Sequence, residues 1–179
     1  MKKIILIISL AAVILSCSDS IDPNYTQDYN TINGLDLKAA IALANDWHYS
    51  QPKVTSYITP KELIISFPDG RQIKKTLPDS AMFIAVAPYI TNTHTCDTHY
   101  LSSCQGELTN KVFQLKASDT NGNILYNDSI SSMKNGFFEL WLPRDRTITI
   151  HIVYNTMTRD ELIGTFSTSN TCITTAQLK

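Results

Sequence analysis

The 179-residue chain has no surplus of charge of either sign. Fifteen Lys and Arg stand against sixteen Asp and Glu, for a formal net charge of −1. Without a basic cluster it lacks the electrostatic footprint of a nucleic-acid binder. No apolar run after residue 15 is long enough to cross a bilayer, so the expectation is a water-soluble body. No internal repeat is visible. Ser102-Ser103 has no Gly-x-Ser-x-Gly elbow around it, and no His and acid are spaced to complete a triad. Cys-x-x-Cys is missing too, and no cysteine opens a helix that would lower its pKa. What remains is a globular composition, with 43% hydrophobic and 17% charged residues, which excludes a disordered chain. The length suits one domain or two small ones.

The first sixteen residues read as an export signal. Lys2 and Lys3 give a positive start, and residues 4–15 form an apolar run broken only by Ser9. As a helix that run is about 18 Å long, against the roughly 30 Å of a bilayer core, which is the pattern of a removable secretory signal. The run ends Ile14-Leu15-Ser16-Cys17, which resembles a bacterial lipobox. On that reading Cys17 is the lipidation site. Ser18, not being acidic, favours the outer membrane. The alternative is an ordinary signal with a chance cysteine at its edge. Either way the destination is oxidising and permits disulfides.

Residues 17–34 are polar and aperiodic and read as a tether. Residues 35–46 read as the one strong helix, with Leu37, Ile41 and Ala44 on one face. Strands at 61–67 and 71–77 flank Pro68-Asp69-Gly70, where Pro fixes φ and Gly permits a positive one. Residues 35–80 thus form a small helix-plus-hairpin unit. Residues 81–179 read as all-β, with strands at 82–90, 111–117, 124–130, 137–142, 147–154 and 162–168. Asn121-Gly122 and Asn135-Gly136 serve as hairpin turns. Alternation is clearest where Ile148, Ile150, Ile152 and Tyr154 point one way and His151 the other. The expected fold class is α+β: a small N-terminal helix-plus-hairpin domain followed by an all-β, sandwich-like C-terminal domain.

The chemistry-bearing segment is Thr93-His94-Thr95-Cys96-Asp97-Thr98-His99-Tyr100-Leu101-Ser102-Ser103-Cys104-Gln105-Gly106-Glu107. It holds two of the four histidines and two of the three cysteines that follow Cys17; the third is Cys172. If the last strand returns beside this loop, Cys172 meets Cys96 and Cys104. Three thiols in an oxidising compartment leave one that is paired elsewhere, reactive or metal-bound. Thiolate and imidazole suit Cu(I), Zn(II) or an iron–sulfur cluster. A cluster ordinarily uses four cysteines, and the spacings are not those of structural zinc knuckles, so the chemistry leans towards copper. A plain Cys96–Cys104 disulfide stapling the loop is the other reading, and it would stabilise by roughly 2–3 kcal/mol. A reversible disulfide joins the two, since a pair of thiols can take Cu(II) to Cu(I).

With a third cysteine near residue 172, this segment resembles the CueP family of periplasmic copper-binding proteins over essentially all of the exported chain. The resemblance implies an N-terminal dimerisation domain at 35–80 and a β-rich copper-binding domain at 81–179. It implies Cu(I) held by Cys104 and Cys172, with Cys96 as a third thiol. His94 and His99 would be loop residues that capture or hand on the ion. It further implies a role in copper resistance, a periplasmic Cu/Zn superoxide dismutase as client, and a homodimer. A thiol-dependent Cu(II) reductase using Cys96 and Cys104, re-reduced by a periplasmic thiol partner, is the second reading. A disulfide-stapled structural lipoprotein is the third. His151 and His48, the aromatics Phe137, Phe138 and Trp141, and Met82, Met133 and Met157 read as surface, packing or core residues.

Overall fold

Every residue of the strand at 81–86 after the first is buried, whichever way it points, and this organises the molecule. Met82, Ile84 and Val86 enter one apolar cluster, and Phe83, Ala85 and Ala87 enter another. A strand buried on both faces lies in a central layer. The computed structural model describes residues 22–179. The expected export signal and lipobox, with Cys17, lie outside the described residues.

Two helices come first. Asp22 caps α1 (Pro23–Gly34), its carboxylate accepting from the Asn24 N–H, with Pro23 in the first turn. The residues expected to be a tether are therefore helical from Pro23. Tyr25, Tyr29 and Ile32 lie at helical spacing; Ile32 is buried, and both tyrosine rings meet Phe67 edge-on. Asp36 caps α2 (Leu37–Ser50), and Ala40, Ile41, Ala44 and Trp47 form its buried stripe.

The first sheet is antiparallel: β1 (Thr55–Ile58), β2 (Glu62–Ser66) and β3 (Gln72–Thr76), in that order. Gly70 turns the β2–β3 hairpin at φ +86°. The central sheet has the order β10-β4-β7, from β4 (Ala81–Val86), β7 (Phe138–Pro143) and β10 (Cys172–Ile173), with β10 parallel to β4. The outer sheet has the order β6-β5-β8-β9, from β5 (Val112–Asp119), β6 (Ile124–Ser131), β8 (Thr147–Tyr154) and β9 (Met157–Gly164). It packs on one face of the central sheet through Phe113, Leu115, Ile148, Ile150 and Ile152. The helices and the first sheet pack on the other face. Each large side chain buried this way contributes roughly 1.5–3 kcal/mol. The fold is α+β with a sandwich-like C-terminal part.

Three local expectations change. Asn135-Gly136 does not close a hairpin, because β6 and β7 belong to different sheets; the turn is a corner, with Gly136 at φ +79°. The strand expected at 162–168 runs instead over Met157–Gly164. Its inward side carries the Arg159–Glu161 ion pair, and Leu162 points outward. Strand β1 was not expected at all.

Candidate metal centre

Four segments converge on the cysteines, and each is held by hydrogen bonds that the local sequence supplies. Cys172 sits on β10, whose pairing with Ala85 fixes its height against the central sheet. Cys104 closes a turn, its N–H donating to the Tyr100 carbonyl at 2.9 Å while the Tyr100 N–H points at Cys104 Sγ at 3.3 Å. The edge of β1 grips this turn: the Ile58 N–H donates to the His99 carbonyl, and the Ser56 N–H to Ser102 Oγ. Thr171, buried and next to Cys172, ties these parts together. Its Oγ1 donates to the Ile58 carbonyl at 2.6 Å and accepts from the His99 N–H at 3.0 Å.

The arm bearing His94 and Cys96 is fixed at both ends. Glu107 Oε2 accepts from the N–H groups of Ile90, Thr91 and Asn92 at 2.7, 2.9 and 3.2 Å. The Asp97 carbonyl accepts from the N–H groups of Thr171 and Cys172. Behind Cys104, Gly106 and Gly136 cross backbone to backbone; a Cβ on Gly136 would lie 2.6 Å from Gly106 atoms.

All three thiols are free. Cys96 Sγ and Cys104 Sγ are 3.4 Å apart, and Cys172 Sγ lies 3.8 Å from His99 Nδ1. Two donor sets result, one of His94, Cys96 and Cys104, the other of His99, Cys104 and Cys172. Within each set the ligand atoms lie within 4.8 Å of one another. All five residues singled out in the sequence therefore meet, but the histidines differ. His94 is exposed. His99 is fully buried, its ring against Phe137 and Phe83, so it is not a flexible capture residue. Its Nε2 is the one buried side-chain nitrogen or oxygen without a hydrogen-bond partner among the described residues. A cleft of about 330 Å³, lined by His94, Cys96, Asp97, Cys172 and Thr174 among others, reaches the cluster from solvent.

Electrostatics set the three thiols apart. Hydrogen bonding from Cys172 pulls Cys104 far below the usual thiol range against the cost of burial, with help from His99 and the Tyr100 N–H. Burial pushes Cys96 up to about 11, and its S–H points at the Thr98 carbonyl. Cys172 is driven upward by its hydrogen bond to Cys104 and by burial. Negative charge therefore gathers on Cys104, the sulfur common to both donor sets. Thiolate sulfur with imidazole nitrogen is a donor set for a soft cation, and His99 turns its Nδ1 towards Cys172 Sγ.

A family model described as "Periplasmic copper-binding protein CueP" matches residues 42–177. The chain belongs to the CueP family. As a member it is a periplasmic copper-binding protein, and the match spans all five residues of the cluster. A solved structure described as "Crystal Structure of S.CueP" is similar to it, with a TM-score of 0.78 and 29% sequence identity. The likeness covers 89% of this chain and 100% of that one. No curated protein matches. The sequence singled out the five residues that meet in this cluster but missed Thr171, whose only sequence signal is its place beside Cys172.

Proposed function

We propose that the chain carries copper as Cu(I) on the thiolates of Cys104, Cys172 and Cys96. It passes the ion to a periplasmic client such as a Cu/Zn superoxide dismutase, and so contributes to copper resistance. The observation that carries this reading is the convergence of three thiols and two imidazoles around Cys104, in two sets whose donor atoms lie within 4.8 Å. Sulfur donors favour Cu(I). The cleft beside Cys96 gives a client's ligand a way in, so exchange can pass through a shared intermediate. The test is an anaerobic Cu(I) titration of the reduced protein against a chromogenic chelator, with thiols counted before and after. Tight binding that is lost on alkylation supports carriage; no competition with the chelator refutes it.

The 3.4 Å between Cys96 Sγ and Cys104 Sγ supports a second reading. Two Cu(II) ions each take one electron, Cys96 and Cys104 form one disulfide at about 2.05 Å, and the thiol protons go to water. A periplasmic thiol then restores the pair by exchange. Treatment with Cu(II) should consume two thiols and leave that of Cys172; an unchanged thiol count refutes the reduction. Export directed by residues 1–16 is part of this proposal and fits a periplasmic carrier. Lipidation of Cys17, tested by fatty-acid labelling, and dimerisation through residues 35–80, tested by light scattering, belong to the same proposal.

A further inference from the structure

The two donor sets differ in depth and share one atom. His94 is exposed and Cys96 half-buried, whereas His99, Cys104 and Cys172 are all buried. The outer set borders the cleft through His94 and Cys96, whereas the inner set touches it through Cys172 alone. The inner set backs onto Phe137 and Phe83 through the His99 ring. Only Cys104 belongs to both. A thiolate sulfur keeps lone pairs after binding one soft cation and can bridge to a second. From this geometry we infer that the centre has two Cu(I) positions, an inner one on His99, Cys104 and Cys172 and an outer one on His94, Cys96 and Cys104, with the Cys104 thiolate bridging them when both are filled. The inference rests on Cu(I) carriage and adds to it an order of loading.

The inner position fills first and holds more tightly, because its ligands are already fixed. Thr171 and the Ile58 N–H hold the His99 backbone, and pairing with β4 holds Cys172. Pre-set ligands lose less freedom on binding. The outer position depends on His94, an exposed side chain that binding must order. It therefore binds more weakly and serves as the point of entry and exit. An ion moves between the positions by keeping Cys104 while exchanging the other two ligands. Each thiol that binds copper gives its proton to water, and no electron changes hands.

The test uses Cu(I), supplied anaerobically to the reduced protein, with a chromogenic chelator as competitor. Two equivalents are expected, the second weaker by about tenfold or more. His94→Ala, at an exposed position where the fold is not at risk, should remove the second equivalent and not the first. Cys172→Ser should keep only a weak equivalent, Cys96→Ser only the tight one, and Cys104→Ser neither. A single equivalent that Cys96→Ser and Cys172→Ser weaken alike would mean one three-thiolate centre; it would overturn the two positions and leave carriage standing. A second equivalent that survives His94→Ala would overturn the outer assignment. Failure to compete with the chelator at any stoichiometry would instead overturn carriage itself.

Discussion

Replacing Thr171 with valine keeps the shape of the side chain and removes only the hydroxyl. That hydroxyl is buried, donates to the Ile58 carbonyl at 2.6 Å and accepts from the His99 N–H at 3.0 Å. Valine strips the His99 N–H of its acceptor and puts a methyl group against the Ile58 carbonyl. A buried polar group left without its partner costs roughly 1–3 kcal/mol, so Thr171→Val should destabilise by about 3 kcal/mol. That is a large share of a total of roughly 5–15 kcal/mol. At about 2–4 °C per kcal/mol for a chain of this size, Tm should fall by about 6–12 °C. Thr171→Ser keeps both hydrogen bonds and loses one methyl group, worth about 0.8 kcal/mol. Thermal and urea unfolding of the reduced protein give the order, and Cu(I) affinity should weaken with valine more than with serine. If valine proves as stable as serine or more so, Thr171 acts by packing, and the hydrogen-bonded seam between β1 and the cysteine loop is not what holds the site.

Other outcomes follow from the same contacts. Gly136→Ala meets both a positive φ of +79° and Gly106 backbone 2.6 Å away, whereas Gly122→Ala meets a φ of +83° in open space. Unfolding should show a loss of about 1 kcal/mol for the latter and clearly more for the former, with Cu(I) binding impaired only at Gly136. Burial works against ionisation of Glu107, yet the N–H groups of Thr91, Ile90 and Asn92 together hold its carboxyl below the usual 4.5. Its stabilisation is then present above that pH and lost as pH falls below it. The group is half-buried and glutamine keeps an acceptor, so Glu107→Gln should cost about 1 kcal/mol and speed amide exchange at residues 90–92. The lowered Cys104 and the Cys96 pushed up to about 11 predict one thiolate absorbance that persists into acid and another that appears only in strong alkali. The Cys96 contribution to stability is complete below the ordinary thiol pKa of about 8.5 and lost as pH rises through 11. A titration with every thiol ionising near 8.5 would contradict this.

Helix α2 was legible because its apolar stripe repeats at 3.6 residues, and the β2–β3 hairpin because Pro68-Asp69-Gly70 can do little but turn. Strand β8 was legible because three isoleucines alternate into a core. Helix α1 escaped because its buried face is made of Tyr25, Tyr29 and Ile32 in an otherwise polar stretch; Asp22-Pro23 was its cap signal. Strand β9 was misplaced because an ion pair occupies its inward side and its leucine faces out, reversing the usual pattern. Strand β1 has four residues, too few for alternation to register. At the site, residue types and loop spacing drew attention to five residues that the fold brings together. Their different depths depend on Phe83, just ahead of the loop, and on Phe137 and the β1 edge, which lie further off in sequence.

The parallel pairing of β10 with β4 also bears on how the molecule comes to fold. Cys172 meets Ala85 only after most of the intervening chain has been made, and such long-range contacts are slow to form because the loop entropy must be met first. A chain interrupted before residue 172 can build the outer sheet and the β4–β7 pair, yet it has only half of the inner thiol pair. If the inner set is where copper is held, its full set of ligands comes together only once β10 has docked beside β4, so tight binding is among the last properties the folding chain acquires.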